Sequence, residues 1–168
     1  SLEAECKKLY GAFEKKSLEE MIDHYNIHGW LQERVSQVEY KYAYCITKLL
    51  ESNPGVSEQL KSILNSFGSR LALTLKDNNP NAITIFKAIS DNLLDGMPCD
   101  HANRLIEQSE DMVIWTRSVC VHSSYWEEVG GDVKVYYELR DAWLKGLTSE
   151  LGFSLERPDT NTYCIKRL

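Results

Sequence analysis

Apolar residues recur at three- and four-residue spacing through residues 1–152, and this periodicity constrains the fold more than any other feature of the sequence. One face of an α-helix returns every 3.6 residues, so the spacing predicts amphipathic helices that bury one side. The strongest stretch follows Trp30 and includes Val35, Val38, Cys45 and Leu49. We therefore predict an all-α protein, a single-domain helical bundle of about six to seven helices.

Turn-forming sequences separate the periodic stretches. Ser17 and Glu20 have the spacing of a capping box, in which each side chain bonds to the other residue's backbone amide. Residues 53–55, 78–81 and 130–131 are rich in Asn, Pro and Gly and predict turns or loops. These breaks predict helices joined by short connections, as a bundle requires.

Three predicted helices lie at places where the periodicity is shorter. One follows the Ser17 cap and runs through Met21 towards Gly29, one follows Asp100 through Leu105 and Ile106, and one covers residues 112–121. The apolar faces of all the helices together predict a core that contains Val38, Cys45, Leu49, Leu64, Leu71, Phe86, Ile89, Trp115, Val119, Trp143 and Leu147.

The last residues of the chain have a different pattern. Apolar and polar residues alternate in residues 153–155 and 163–165, on either side of a turn sequence at residues 158–161. Alternation of this kind is typical of strands. We therefore divide the chain into a helical bundle at residues 1–152 and a C-terminal extension at residues 153–168, which we expect to form a short β-hairpin packed on the bundle.

Charge and composition narrow the classes of function. The net charge of −6 and pI near 5.3 repel a phosphate backbone, which disfavours nucleic-acid binding in bulk. No apolar run approaches the roughly 18 residues that span a bilayer, so we expect no membrane partner. The five cysteines form no CxxC pair, and we predict free thiols in a cytoplasmic or otherwise intracellular, reducing compartment. The start at Ser1 suggests a domain fragment, a module of a larger intracellular or effector-type protein.

Arg117 and His122 have the only spacing in the chain that is typical of a catalytic pair. It resembles the R-x4-H motif of the HEPN families, small helical domains that often dimerise and include metal-independent ribonucleases. The resemblance implies that His122 is a general base on a ribose 2′-hydroxyl and that Arg117 holds the scissile phosphate. A HEPN-like ribonuclease is therefore our alternative hypothesis.

Metal or cofactor binding has little support in the sequence. His24 and His28 are four residues apart, which on one helix would let two imidazoles face the same metal. No HExxH motif or other fixed ligand spacing accompanies them. We predict that both histidines are partly exposed and that the protein has no metal site and no cofactor.

Aromatic residues flank the glycine break at residues 130–131 and suggest a partner-binding surface. Trp and Tyr dominate the energetics of protein interfaces, and an acidic rim would attract a basic partner. Our leading hypothesis is a non-enzymatic, helical protein–protein interaction domain; a ligand-binding bundle lined by tyrosines is a third option. The predicted surface consists of Tyr125, Trp126, Glu127, Glu128, Tyr136 and Tyr137.

Overall fold

Four antiparallel strands, which the helical periodicity did not predict, make the fold mixed α/β. The computed structural model describes all 168 residues, most of which are helical, with seven helices and one four-stranded sheet. The all-α prediction is therefore wrong, although the chain is mostly helical. The residues form two compact units: the first unit comprises Ser1–Pro54 and His122–Val133, and the second unit comprises Gly55–Val121 and Lys134–Leu168.

The first unit is helical and contains α1 (Leu2–Tyr10), α2 (Leu18–Met21), α3 (Ile27–Ser52) and α6 (Ser123–Glu128). The predicted capping box at the start of α2 is confirmed: the Ser17 amide donates to Glu20 Oε2 at 3.0 Å, and the Glu20 amide donates to Ser17 Oγ. The helix expected to run on from this cap through Met21 towards Gly29 ends at Met21 instead. Asp23 Oδ1 accepts hydrogen bonds from the two following amides of Tyr25 and Asn26, which favours a turn over a helix.

The second unit contains α4 (Ser57–Lys76), α5 (Ala82–Asn92) and α7, which spans Val133–Glu150 and belongs to this unit from Lys134 onward. Its sheet consists of β1 (Asn103–Gln108), β2 (Met112–Arg117), β3 (Phe153–Glu156) and β4 (Thr162–Arg167). The strand order is β1-β2-β4-β3, with every neighbouring pair antiparallel. β3 and β4 are the hairpin expected in residues 153–168, and β4 joins this hairpin to β2.

The helices predicted after Asp100 and over residues 112–121 are wrong, because these segments form β1 and β2. β2 contains Val113-Ile114-Trp115-Thr116, a run of β-branched and aromatic residues that favours a strand. Val113 and Trp115 are buried while Ile114 is half-buried, which is an alternation with a period of two. A short apolar stretch is compatible with both the helical and the strand period. Its length and composition therefore distinguish a strand from a helix better than its periodicity does.

The core of the second unit lies between its helices and one face of the sheet. Trp115 pairs across the strands with Tyr163, and their rings stack with centroids 5.1 Å apart. Val113 pairs with Ile165 on the same face, and Phe86 from α5 lies 5.0 Å from the Trp115 ring. The buried cluster consists of Ala72, Ala82, Ile85, Ile89, Val113, Trp115, Trp143, Leu144, Leu147, Phe153, Tyr163 and Ile165.

The eleven predicted core residues divide among buried, half-buried and exposed positions. Ile89, Trp115, Trp143 and Leu147 belong to the buried cluster of the second unit, as predicted. The prediction is wrong for three others, since Val38, Leu49 and Val119 are 43%, 36% and 51% exposed.

None of the helices combines the length and apolar character that crossing a membrane would require.

The outer strand β1 is an open sheet edge whose six residues are all exposed. A bulge between Leu105 and Glu107 interrupts its pairing with β2. Arg104 and Glu107 also place charges along this edge. Bulges and charges are features that keep an open edge from pairing with another chain, so β1 is protected despite its exposure.

Two glycines let α4 and α7 approach to backbone contact. A Cβ added at Gly68 would lie 2.0 Å from the Trp143 carbonyl oxygen, and one added at Gly146 would lie 2.0 Å from the Asn65 carbonyl oxygen. Both obstacles are backbone atoms, which cannot rotate away as a side chain can. The packing of these two helices therefore requires glycine at both positions.

We expect Gly68→Ala and Gly146→Ala each to lower the free energy of unfolding by about 2 kcal/mol or more, because the added methyl group forces the helices apart. Urea denaturation followed by circular dichroism measures the loss. Ser66→Ala, on the exposed side of α4, is the control and should change stability by less than about 0.5 kcal/mol. Stabilisation by either glycine variant, as helix propensity alone would give, would show that the helices are not in backbone contact.

Candidate functional site

A buried hydrogen bond joins the two chain segments of the first unit. Glu39, in the middle of α3, is 4% exposed, and His122, immediately before α6, is 1% exposed. The His122 Nδ1 and Glu39 Oε1 atoms are 2.8 Å apart. Polar groups of this kind are costly to bury unless they are paired, so the contact fixes where residues 122–133 attach to α3.

Trp126 and Gly131 extend this attachment along α3. Trp126 is 1% exposed, and its ring meets the Tyr42 ring edge-on with centroids 6.2 Å apart. Gly131 lies so close to α3 that an added Cβ would be 2.3 Å from Thr47 Oγ1. The sequence predicted Trp126 at a partner-binding surface, but in the structure its ring is buried and cannot contact a partner.

Tyrosines from three helices of the first unit form a cluster next to this attachment, and we call Tyr10, Tyr40, Tyr44 and Tyr125 the tyrosine cluster. The rings of Tyr10 and Tyr40 are stacked in parallel, with centroids 5.4 Å apart. Tyr125 meets Tyr40 edge-on at 4.8 Å, and Tyr44 meets Tyr10 edge-on at 5.7 Å. Tyr44 is buried whereas the other three rings are half-exposed, so the cluster presents aromatic surface to solvent.

Carboxylates accept hydrogen bonds from two of the four hydroxyl groups of the cluster. Tyr40 donates a short hydrogen bond to Glu128 Oε2, and Tyr44 donates to Glu5 Oε1 at 2.6 Å. These hydrogen bonds raise the pKa of Tyr40 and of Tyr44 to about 12, because each carboxylate stabilises the neutral phenol. Both phenols therefore stay neutral at physiological pH, and Glu5 and Glu128 hold negative charge at the edge of the aromatic surface.

A surface groove of about 330 Å³ adjoins the cluster. Its single cation, Arg34, lies 3.6 Å from Glu33 and donates to the Gln37 side chain. The Gln37 amide in turn donates to the Tyr10 carbonyl at 2.7 Å, which fixes the end of α1 beside α3. The residues lining this groove are Tyr10, Gln32, Glu33, Arg34, Ser36, Gln37 and Tyr40.

The first unit also contains most of the net negative charge of the protein. Its residues include twelve Asp and Glu against seven Lys and Arg, a net charge of −5, whereas the second unit has thirteen against twelve, a net charge of −1. Of the predicted acidic rim, Glu127 and Glu128 are exposed on α6. The tyrosine-lined groove is therefore part of the more acidic unit.

Arg117 and His122, the pair of the ribonuclease alternative, belong to different units. Arg117 ends β2, where its guanidinium donates to Asn161 Oδ1 at 2.6 Å and lies 3.7 Å from the centroid of the Tyr137 ring. His122 is bonded to Glu39 inside the first unit. The hypothesis needs both side chains in one solvent-open cleft. His122 is only 1% exposed, so its imidazole is not available as a general base in such a cleft.

Tyr136 and Tyr137, also predicted as partner-binding residues, lie in the second unit. Their rings meet edge-on at 5.1 Å, and both are half-buried. The Tyr136 hydroxyl donates to the Leu94 carbonyl at 3.4 Å, and the Tyr137 hydroxyl donates to Cys120 Sγ at 3.1 Å. These contacts tie both tyrosines to the second unit, so we do not include them in the candidate surface.

The histidines considered for metal binding do not share a helix. His24 lies in the turn before α3 and His28 in its first turn, and both are exposed. No group of three or more His, Cys, Asp or Glu side chains in the chain is arranged to hold a metal ion. All five cysteines are free in the structure.

The sequence predicted only part of the candidate surface. Tyr125, Glu127 and Glu128 were predicted from their position before the glycine break, whereas Tyr10 and Tyr40 were missed. Tyr10 ends α1 and Tyr40 lies in the middle of α3, so only the packing of the two helices brings these rings together. Comparison with known protein families, with characterised proteins and with solved structures finds no significant match to this chain.

We expect His122→Ala and Glu39→Ala each to lower the free energy of unfolding by about 1 to 3 kcal/mol, because each leaves a buried polar partner unsatisfied. Chemical denaturation monitored by tryptophan fluorescence measures the change. His28→Ala, at an exposed position of α3, is the matched control and should cost less than about 0.5 kcal/mol. Equal small losses in all three variants would mean that the buried contact does not hold the unit together.

Proposed function

We propose that this protein is a non-enzymatic protein–protein interaction domain whose first unit binds a basic segment of a partner protein. The observation that best supports the proposal is the groove beside Tyr10 and Tyr40, within a unit of net charge −5. We propose Tyr10, Tyr40 and Tyr125 as the aromatic contacts and Glu33, Glu127 and Glu128 as the acidic ones.

The chemistry of the groove suits Lys and Arg side chains. Their aliphatic stems pack on aromatic surface while the charged ends reach carboxylates, and Arg also stacks on tyrosine rings. Glu33 lies in the groove wall, and Glu128 is held next to Tyr40 by its hydrogen bond. A partner with two or more basic residues would therefore find both kinds of contact close together.

The net negative charge of the first unit is a second source of selectivity for basic partners. A unit with an excess of negative charge attracts basic partners during diffusional encounter and repels acidic ones, and this effect weakens as salt screens it. Binding through the groove alone would be less sensitive to salt than binding through the overall charge. The two contributions can therefore be separated by experiment.

The positions of Arg117 and His122 give no reason to prefer the ribonuclease alternative. Arg117 is engaged with Asn161 and Tyr137, and His122 is engaged with Glu39. Cleavage of single-stranded RNA in the presence of EDTA by the purified protein, lost in Arg117→Ala, would contradict a non-enzymatic function.

A fluorescein-labelled nonaarginine peptide is a direct probe of the proposed surface, with a nonaglutamate peptide as its counterpart. We expect Tyr40→Ala to weaken binding of the arginine peptide by about fivefold or more, which corresponds to about 1 kcal/mol. Glu33→Gln should weaken it by about threefold, because it removes a carboxylate from the groove wall. Fluorescence anisotropy at physiological salt measures both affinities.

Glu51→Gln is the matched control, since it removes the same charge from the far end of α3, about 27 Å along the helix from Glu33. It should change the affinity by less than about twofold. Equal losses in Glu33→Gln and Glu51→Gln, or equal binding of the glutamate peptide, would contradict a specific groove. The thermal unfolding of Tyr40→Ala is measured in parallel. If Tyr40→Ala is unstable, the affinity of Glu33→Gln for the arginine peptide decides whether the groove binds it.

A further inference from the structure

Two thiols from different helices of the first unit meet at the junction of α1 and α3. The Sγ atoms of Cys6 and Cys45 are 2.9 Å apart. A disulfide bond is about 2.05 Å long, so the sulfur atoms need to approach by less than about 1 Å to be bonded. Because the two residues are 39 positions apart in the sequence, only the folded unit brings them together.

The two cysteines differ in their exposure to solvent. Cys6 is 5% exposed and is the only buried residue of α1, whereas Cys45 is half-buried and is therefore the more accessible of the two residues. The other three cysteines have different surroundings. Cys99 is exposed, Cys120 accepts a hydrogen bond from Tyr137, and Cys164 is buried in the sheet.

We propose that Cys6 and Cys45 are a redox-sensitive site at which a peroxide forms a reversible disulfide that fastens α1 to α3. In the first step, the Cys45 thiolate attacks one peroxide oxygen, the O–O bond breaks, and a sulfenic acid and hydroxide form. In the second step, Cys6 Sγ attacks the Cys45 sulfur, the S–O bond breaks, and the oxygen leaves as water with the Cys6 proton. The two thiols lose two electrons in total, and hydrogen peroxide is reduced to two molecules of water.

The local chemistry makes this site slow to react, so it responds to sustained oxidation. Burial, together with the contact with Cys6, raises the pKa of Cys45 to about 12, although Lys41 on the same helix opposes the shift. The thiolate is the reactive form, so few Cys45 side chains are reactive at neutral pH. An exposed cysteine such as Cys99 should be modified first.

A disulfide here would change how firmly α1 is held. In the reduced protein α1 is attached by the buried Cys6 side chain, by the stacking of Tyr10 on Tyr40 and by polar contacts such as that of Glu5. Closing the loop between residues 6 and 45 restricts the unfolded chain, which stabilises the folded unit. We expect the melting temperature to rise by about 5 °C or more.

The test is peptide mapping of the intact chain after exposure to hydrogen peroxide at about pH 8.5, where thiolates are more abundant. Free thiols are alkylated, and trypsin then releases Cys6 in residues 1–7 and Cys45 in residues 42–48. We expect one linked pair of these peptides, two hydrogen atoms lighter than their sum, and we expect dithiothreitol to separate it. Cys99→Ser should form the same link, whereas Cys45→Ser should form none and should show no oxidation-dependent rise in melting temperature.

The wild-type protein alone decides the proposal, so an unstable variant cannot obscure the result. Cys6 and Cys45 that both remain open to alkylation while Cys99 becomes oxidised would overturn it. A sulfinic acid on Cys45 without a link to Cys6 would overturn it as well, because the sulfenic acid would then have reacted with a second peroxide before Cys6 could reach it.

Discussion

The surface that we propose as a binding site depends on the meeting of Glu39 and His122 inside the first unit. His122 comes from a segment far along the chain from α3, and its 2.8 Å contact with Glu39 positions the start of α6. Tyr125 and Glu128 follow on the same short helix, and Tyr40 follows Glu39 directly. One buried polar pair therefore sets the register between the tyrosines of α3 and the tyrosine and carboxylate of α6.

Helix positions could be predicted from the sequence where periodicity was long and caps were explicit. The Ser17–Glu20 capping box and the long helix after Trp30 are examples. The segment over residues 112–117 was too short for periodicity to distinguish a strand from a helix, and its β-branched composition was the missed signal. β1 was harder to predict, since its six exposed residues show no alternation in burial.

The candidate site was predictable only in its local part. Aromatic and acidic residues next to each other in the chain, such as Tyr125 and Glu128, could be found from the sequence. The stacking of Tyr10 on Tyr40 could not be found there, because it depends on how two helices pack. Trp126 was predicted at a partner-binding surface, but it is 1% exposed. A large aromatic residue fills a core as readily as an interface, and the sequence alone does not distinguish the two. The R-x4-H spacing likewise joined residues that the fold assigns to different units.

We propose that a basic segment of a partner protein occupies the groove beside Tyr10 and Tyr40. Titration of the ¹⁵N-labelled protein with the nonaarginine peptide, followed by heteronuclear NMR, tests it residue by residue. We expect the largest saturable shifts in the amides of residues 32–40 and at Tyr10, Tyr125 and Glu128, with little change in the second unit. Shifts spread evenly over the acidic residues of the first unit, or centred on the sheet of the second, would contradict it.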